Sequence, residues 1–163
     1  MKSVEIMGGI GNQMFQYAFY LALKNNYNGE EIKIDTSYFA HNKCHNGYEL
    51  ESVFGLNDVS ATEEECYWMG KKNRIYANSS WLKKFLFRLV YRHRQYDKTK
   101  PDFANIFYKD VFNTNKSYFS GWWANELYFQ GISDTVKRLY KFPKLEQKNL
   151  DFLRLIKKKE TVS

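Results

Sequence analysis

Val4-Glu5-Ile6-Met7-Gly8-Gly9-Ile10-Gly11-Asn12-Gln13-Met14-Phe15-Gln16-Tyr17-Ala18 is the stretch that decides the fold. A strand-like run, Val4 to Met7, breaks into glycines at 8, 9 and 11, and an apolar helix follows from Asn12 to Lys24. Glycine reaches positive φ without steric penalty and lets a ligand approach the backbone closely. The helix N-terminus behind it presents unpaired N–H groups and the positive end of the helix dipole. Strand, glycine turn and helix in that order form a phosphate-holding device of α/β proteins. The spacing is not the wider G-x-G-x-x-G of dinucleotide folds, and no Gly-Lys-Ser/Thr follows as in a Walker loop. Asn12 and Gln13 add two side-chain amides at the turn. Asn12 has a second reading, as the cap of the helix.

Outward from the turn, Met14, Ala18, Leu21 and Ala22 form the expected apolar stripe, with Phe15 and Phe19 beside it. Tyr27-Asn28-Gly29 stops the helix. Glu31 to Asp35 alternates and reads as a second strand. If the two strands run parallel, Asp35 ends at the same sheet edge as the glycine turn, where open α/β sheets gather ligands. Asp35 then either faces a site or is an ordinary strand-end residue. The stretch 41–47 reads as loop and 48–56 as a short ordered turn. Thr62-Glu63-Glu64-Glu65 is a capping box opening a helix through Met69.

Trp81 to Arg94 reads as an amphipathic helix, with Leu82, Phe85, Leu86 and Leu89 as its apolar stripe. Lys83, Lys84, Arg88, Arg92 and Arg94 lie largely off that stripe. Two readings are open: the helix lies on an anionic membrane, or its stripe packs into the core and its basic face is solvated. Ser117 to Gly121 reads as a strand running into Trp122-Trp123. Ser133-Asp134 caps a further helix that Pro143 ends. A last helix carries Leu150, Leu153 and Ile156, and Thr161-Val162-Ser163 resembles the start of another strand.

The chain has 163 residues, a usual length for one domain, and 44% of them are hydrophobic, which excludes a disordered chain. Its net charge of +7 is compatible with phosphate ligands or an anionic membrane surface. No nucleic-acid motif accompanies the charge, so a nucleic-acid partner is not expected. Two cysteines, Cys44 and Cys66, make no disulfide framework. His41, Cys44 and His45 lie close in sequence, but no fourth ligand has matching spacing, so no metal is expected. Met1-Lys2 leads directly into a strand, and the longest apolar run is too short to span a bilayer. The expectation is a cytoplasmic protein, either free or peripheral on the inner face of the cytoplasmic membrane.

Gly8 to Ala18 resembles the opening motif of glycosyltransferase family 11, the α-1,2-fucosyltransferases. Three further stretches resemble that family in the same order: Ile34-Asp35-Thr36-Ser37, then Tyr48-Glu49-Leu50, then Tyr118-Phe119-Ser120-Gly121-Trp122-Trp123 with Glu126, Tyr128 and Phe129. Trp122, Ala124, Asn125 and Leu127 depart from the family's usual residues. The family's His-x-Arg-Arg-Gly-Asp-Tyr motif would fall beyond Ser163. The resemblance therefore implies that residues 1–163 form an α/β unit, the Rossmann-like N-terminal half of a GT-B-like glycosyltransferase with added helices. The donor-binding half would be largely absent.

The resemblance also implies a chemistry: inverting transfer of L-fucose from GDP-β-L-fucose to the 2-hydroxyl of a galactoside, without metal or other cofactor. Donor contacts then fall to Gly9, Gly11, Asn12 and Gln13. Trp123 and Glu126 fall to the acceptor galactose-terminated glycan, with an aromatic stacking on the sugar or packing in the core. Asp35 and Glu126 are the candidate general bases. The chain alone is expected to show no measurable transfer. The alternatives are a non-catalytic carbohydrate-binding module and a basic peripheral membrane protein.

Overall fold

A computed structural model describes residues 1–42 and 45–157, the side chain of residue 148 aside. Cys44 and the expected strand at 161–163 lie outside the described residues. Four strands form one parallel sheet: β1 (Lys2–Glu5), β2 (Ile32–Asp35), β3 (Gln95–Lys98) and β4 (Tyr118–Gly121), in the order β2-β1-β4-β3. Val4 pairs with Ile34 on one side and Phe119 on the other, while Lys98 pairs with Gly121 at the far edge. β1 begins and ends two residues earlier than its sequence suggests, and Ile6-Met7 lead into the turn. Parallel strands need long crossovers; α-helices lie in those from β1 to β2 and from β2 to β3, and two 3-10 turns in that from β3 to β4.

Eight helices are present among the described residues. Helix α1 (Ile10–Asn26) starts two residues before the expected Asn12, with Gly9 in the capping position. Its buried face includes the expected Ala18, Phe19 and Ala22, and it extends to Gln13, Gln16, Tyr17, Tyr20 and Leu23, while Phe15 is exposed and Met14 and Leu21 are only partly covered. The polar members of this face are satisfied. Tyr17 and Tyr20 both donate to Asp58, and the two glutamines brace the site described below.

Successive side chains of a strand point to opposite faces, and each face of this sheet is covered differently. Val4, Ile34 and Phe119 join Phe19 and Leu23 of α1 in the main core. Tyr118 faces the other way, into a smaller cluster with Ala61, Cys66 and Met69. Cys66 lies on helix α4 (Glu63–Trp68), with Ala61 and Met69 at its two ends, and the expected capping box opens that helix: Thr62 accepts from the Glu65 N–H, and Glu65 accepts from that of Thr62. Short helices α2 (Tyr38–His41), α3 (Leu50–Phe54) and α5 (Arg74–Ala77) shape the connections. Gly55 ends α3 at φ 69°, a left-handed cap that favours glycine. The arrangement is α/β and compatible with a Rossmann-like fold.

Helix α6 (Trp81–Val90) is shorter than expected, because a 3-10 turn over Arg92–Arg94 leads directly into the edge strand β3. Its core-packed reading fails. Only Phe87 is buried, among Tyr67, Tyr76 and Tyr91, and the expected core stripe is exposed. Helices α7 (Ser133–Leu139) and α8 (Gln147–Lys157) follow β4. Ile132 rather than Ser133 takes the N-cap position of α7. No helix among the described residues is long and apolar enough to cross a membrane.

Candidate functional site

The strand order places β2 on one side of β1, and β4 with β3 on the other. The topological switch point therefore lies at the C-terminal ends of β1 and β4, the position where open α/β sheets form a ligand crevice. The Gly8-Gly9 turn leaves β1 there, and Trp122-Trp123 leave β4.

Gly8 has φ 78°, and a Cβ on it would come 2.8 Å from Asn12 Nδ2 and 3.5 Å from Trp122. The left-handed backbone there favours glycine, and a side chain would also have to push the Asn12 amide aside. A Cβ on Gly9 would meet the His45 ring at 3.4 Å. The fold thus gathers Gly8, Gly9, Asn12, His45 and Trp122 at one edge. The N-terminus of α1 opens into this group with no side-chain cap and no acidic residue in its first turn. Asn12 lies within that first turn, so its reading as helix cap is corrected. Its partly exposed amide makes no hydrogen bond among the described residues. Gly11 has nothing within 4 Å of where a Cβ would sit, so the chain itself does not require glycine there.

Gln13 is fully buried and belongs to the scaffold rather than to a ligand. Its Nε2 donates to the carbonyls of Gly8 and Gly47, both at 2.9 Å, and its Oε1 accepts from the Glu49 N–H at 2.9 Å. Both amide hydrogens are used, which leaves none for donor binding. Gln16, one turn on, accepts from the Met7 N–H at 2.8 Å and donates to the Gly121 carbonyl at 3.2 Å. The first amide ties the glycine turn to the loop carrying His45, and the second ties the end of β1 to the end of β4. Gln16 was not singled out from sequence. Its spacing of three from Gln13 on a buried helix face was the available signal.

Trp123 is also part of the scaffold. It stacks on Phe19 at 4.1 Å and 15° and meets Tyr128 edge-on, fully inside the main core. It holds φ 53°, an uncommon conformation for a bulky residue and a local strain. Its indole N–H has no partner among the described residues. Trp122 is the aromatic at the crevice. It is half-buried, and its indole N–H donates to the Thr99 carbonyl at 2.8 Å. Trp123, the expected sugar-stacking residue, is therefore packed in the core, and its neighbour is the tryptophan partly exposed at the crevice.

Asp35 sits where expected, at the end of β2, but it does not face solvent. Lys71 Nζ lies 2.7 Å from its Oδ2 and 2.8 Å from Glu5 Oε1, and Asp35 is the register partner of Glu5. Tyr118 donates to Asp35 at 2.6 Å, the Ser37 N–H donates at 2.9 Å, and the Ser120 hydroxyl donates to Glu5. Burial alone raises the Asp35 carboxyl. The Lys71 charge and hydrogen bond, with Tyr118 and the Ser37 N–H, outweigh it and hold the group below the usual carboxylate range. Burial likewise lowers the Lys71 ammonium, and Glu5 and Asp35 overcome this to raise it. A carboxylate so held is a weak proton acceptor, so the geometry removes Asp35 from general-base work. Burial, then Asp35 beside it, pushes the Cys66 thiol up, which leaves it inert as a nucleophile.

Glu126 opens a 3-10 turn, is exposed, and lines a separate hollow with Phe129, Ser133 and Lys137. No hydrogen bond or ion pair among the described residues joins it to the glycine turn. Among those residues no three His, Cys, Asp or Glu side chains group as metal ligands. No family model, curated protein or solved structure matches this chain.

Proposed function

We propose that this chain supplies the diphosphate-facing wall of a fucosyl-transfer site, using GDP-β-L-fucose as donor and a galactoside 2-hydroxyl as acceptor. One observation carries the reading. The unbroken 17-residue helix α1 starts at the switch point behind Gly8 and Gly9, with no side-chain cap and no acidic residue in its first turn, which carries Asn12 and faces His45. The ordered resemblance of four sequence stretches to α-1,2-fucosyltransferases supports the choice of substrate within nucleotide-sugar chemistry.

Inverting transfer breaks the bond between fucose C1 and the GDP oxygen as the acceptor oxygen bonds from the opposite face and its hydroxyl proton passes to water or to the departing diphosphate. Negative charge then grows on the leaving diphosphate. Fixed donors aimed at developing charge are often the largest catalytic term, because they need no reorganisation during the reaction. The first-turn N–H groups of α1 and the Asn12 amide are such donors. Gln13 and Gln16 fix their positions, and an imidazolium at His45 would add positive charge. Trp122 offers an aromatic surface to the apolar face of the acceptor sugar.

The test is a titration of the isotopically labelled chain with GDP, followed through backbone amide resonances. Saturable shifts of Gly9, Ile10, Gly11 and Asn12 are expected. Asn12→Asp separates binding from folding because the two effects have opposite signs. A carboxylate in the first turn favours the helix by about 0.3–1 kcal/mol, yet it repels a diphosphate. The variant should melt no lower than the parent and bind GDP at least ten-fold more weakly. Absence of shifts at these amides with millimolar GDP would overturn the reading. Galactoside-induced shifts without GDP-induced ones would replace it with a carbohydrate-binding module.

A further inference from the structure

Helix α6 leaves one whole side without a protein partner. Its exposed residues are Trp81 at 79% and Leu82, Phe85, Leu86, Leu89 and Val90, each between 49% and 57%. At about 100° per residue these six occupy one continuous half of the helix. Lys83 borders that half on one side and Arg88 on the other, and Phe87 anchors the opposite half in its aromatic nest. Exposed Trp68 of α4 stands beside it, across an apolar hollow of about 450 Å³.

Charge identifies the occupant. From Lys72 to Tyr96 the chain carries seven Lys or Arg and no Asp or Glu. None of those cations forms an ion pair among the described residues. Apolar side chains ringed by unpaired cations fit a surface that is apolar within and anionic at its boundary. Nucleic acid supplies the anions but gives six large apolar side chains nothing to bury against. An interfacial helix instead sinks its apolar side just below the headgroups and keeps its cations among them.

The geometry points to α6 as a docking helix for anionic phospholipid bilayers, lying in the membrane plane with Trp81, Phe85 and Leu89 inserted. This is independent of the sugar-transfer reading. Each lysine or arginine brought near an anionic leaflet is worth roughly a five-fold gain in partitioning.

The experiment is co-sedimentation of the full chain with vesicles of phosphatidylcholine alone and of phosphatidylcholine with about 30 mol % phosphatidylglycerol, a strongly anionic surface. Binding to the anionic vesicles should exceed binding to neutral ones at least ten-fold. It should fall steeply near 1 M salt, where the screening length shrinks to about 3 Å. Phe85→Glu should reduce anionic-vesicle binding at least ten-fold, and Lys84→Gln with Arg88→Gln roughly twenty-five-fold by the same per-cation figure. Lys137→Gln with Arg138→Gln, on α7, should leave it unchanged. These positions are exposed or partly so, and circular dichroism confirms that each variant is folded. Tryptophan emission should shift to the blue on anionic vesicles, and Trp81→Phe should remove most of that shift.

Any of four results overturns the proposal: no binding to anionic vesicles, equal binding to neutral ones, binding insensitive to Phe85→Glu, or RNA retention without vesicle binding. Self-association abolished by Phe85→Glu, again without vesicle binding, would assign the face to a second copy of this chain instead.

Discussion

Replacing Lys71 with methionine isolates the buried charge cluster at the ends of β1 and β2. Methionine keeps most of the side chain's volume and removes only the ammonium. Lys71 is 16% exposed in its side chain, Glu5 13% and Asp35 0%, so the ammonium's place is largely shielded from bulk water. Removing one partner from a buried pair typically costs about 3–5 kcal/mol, because a charge is left buried and uncompensated. Tyr118, Ser120 and the Ser37 N–H still donate to the carboxylates, which places the expected loss near the low end, about 3 kcal/mol at pH 7. That is a large share of the roughly 5–15 kcal/mol that holds a domain together. For a chain of this length it should lower Tm by about 6–12 °C.

The pH dependence follows from the cause. In the parent protein Asp35 titrates below its unfolded value. Its contribution is complete above about pH 4 and is lost only as pH falls through the depressed folded value. In the variant, burial acts on Asp35 without Lys71 and drives its carboxyl upward. The folded state then binds more protons than the unfolded state, and acidification stabilises it. The gap between parent and variant should therefore be widest at pH 7 and narrow towards pH 4. Urea unfolding at several pH values measures it. A loss under 1 kcal/mol at pH 7, or a gap that does not change with pH, would refute the reasoning.

Gln16→Leu should destabilise by about 2–4 kcal/mol in urea unfolding, because it leaves the Met7 N–H and the Gly121 carbonyl unpaired. Trp123→Ala should cost about 3–5 kcal/mol as a core deletion, while Trp122→Ala should cost about 1 kcal/mol, the worth of its single hydrogen bond to Thr99. Equal losses would mean that the two tryptophans had been assigned the wrong roles. Gly11→Ala should stabilise the chain by about 0.5–1 kcal/mol, since nothing crowds that position and alanine narrows the unfolded ensemble. The same substitution should weaken GDP binding in the amide titration, and unchanged affinity would show that Gly11 lies away from the diphosphate.

Sequence patterning was most informative where local chemistry determines structure. The glycine turn, the β1-α1-β2 unit and the Thr62–Glu65 capping box are each set by residues within a few positions of one another. It was least informative where distant residues decide. β3 escaped notice because Gln95-Tyr96-Asp97-Lys98 is polar and sits at a sheet edge, where one side meets solvent. Ala18, Phe19 and Ala22 of α1 are buried as expected, but Gln13 and Gln16 were missed because they are polar, and only the loops they brace make their burial favourable. Asp35 was located correctly, but Lys71, its partner 36 residues on, carries no local signature. Trp122 and Trp123 are adjacent, and alternation alone does not say which of two neighbours faces the core once the strand has ended.

The position of β4 has a consequence for how the chain is assembled. Among the described residues it is the last strand in sequence, yet it occupies the interior slot between β1 and β3. Until residues 118–121 have been synthesised, β3 has no strand to pair with and the β1-β2 pair has an open flank. On the ribosome, at roughly 5–20 residues per second, β1 and β2 wait for a strand that arrives more than 80 residues after Asp35. That same strand delivers the Tyr118 and Ser120 hydroxyls to the buried carboxylates and Trp122 to the crevice. Joining of the four described strands, satisfaction of their buried charge and arrival of Trp122 at the crevice are therefore a single late event, and a nascent chain stopped before β4 would hold the glycine turn without the surface it faces.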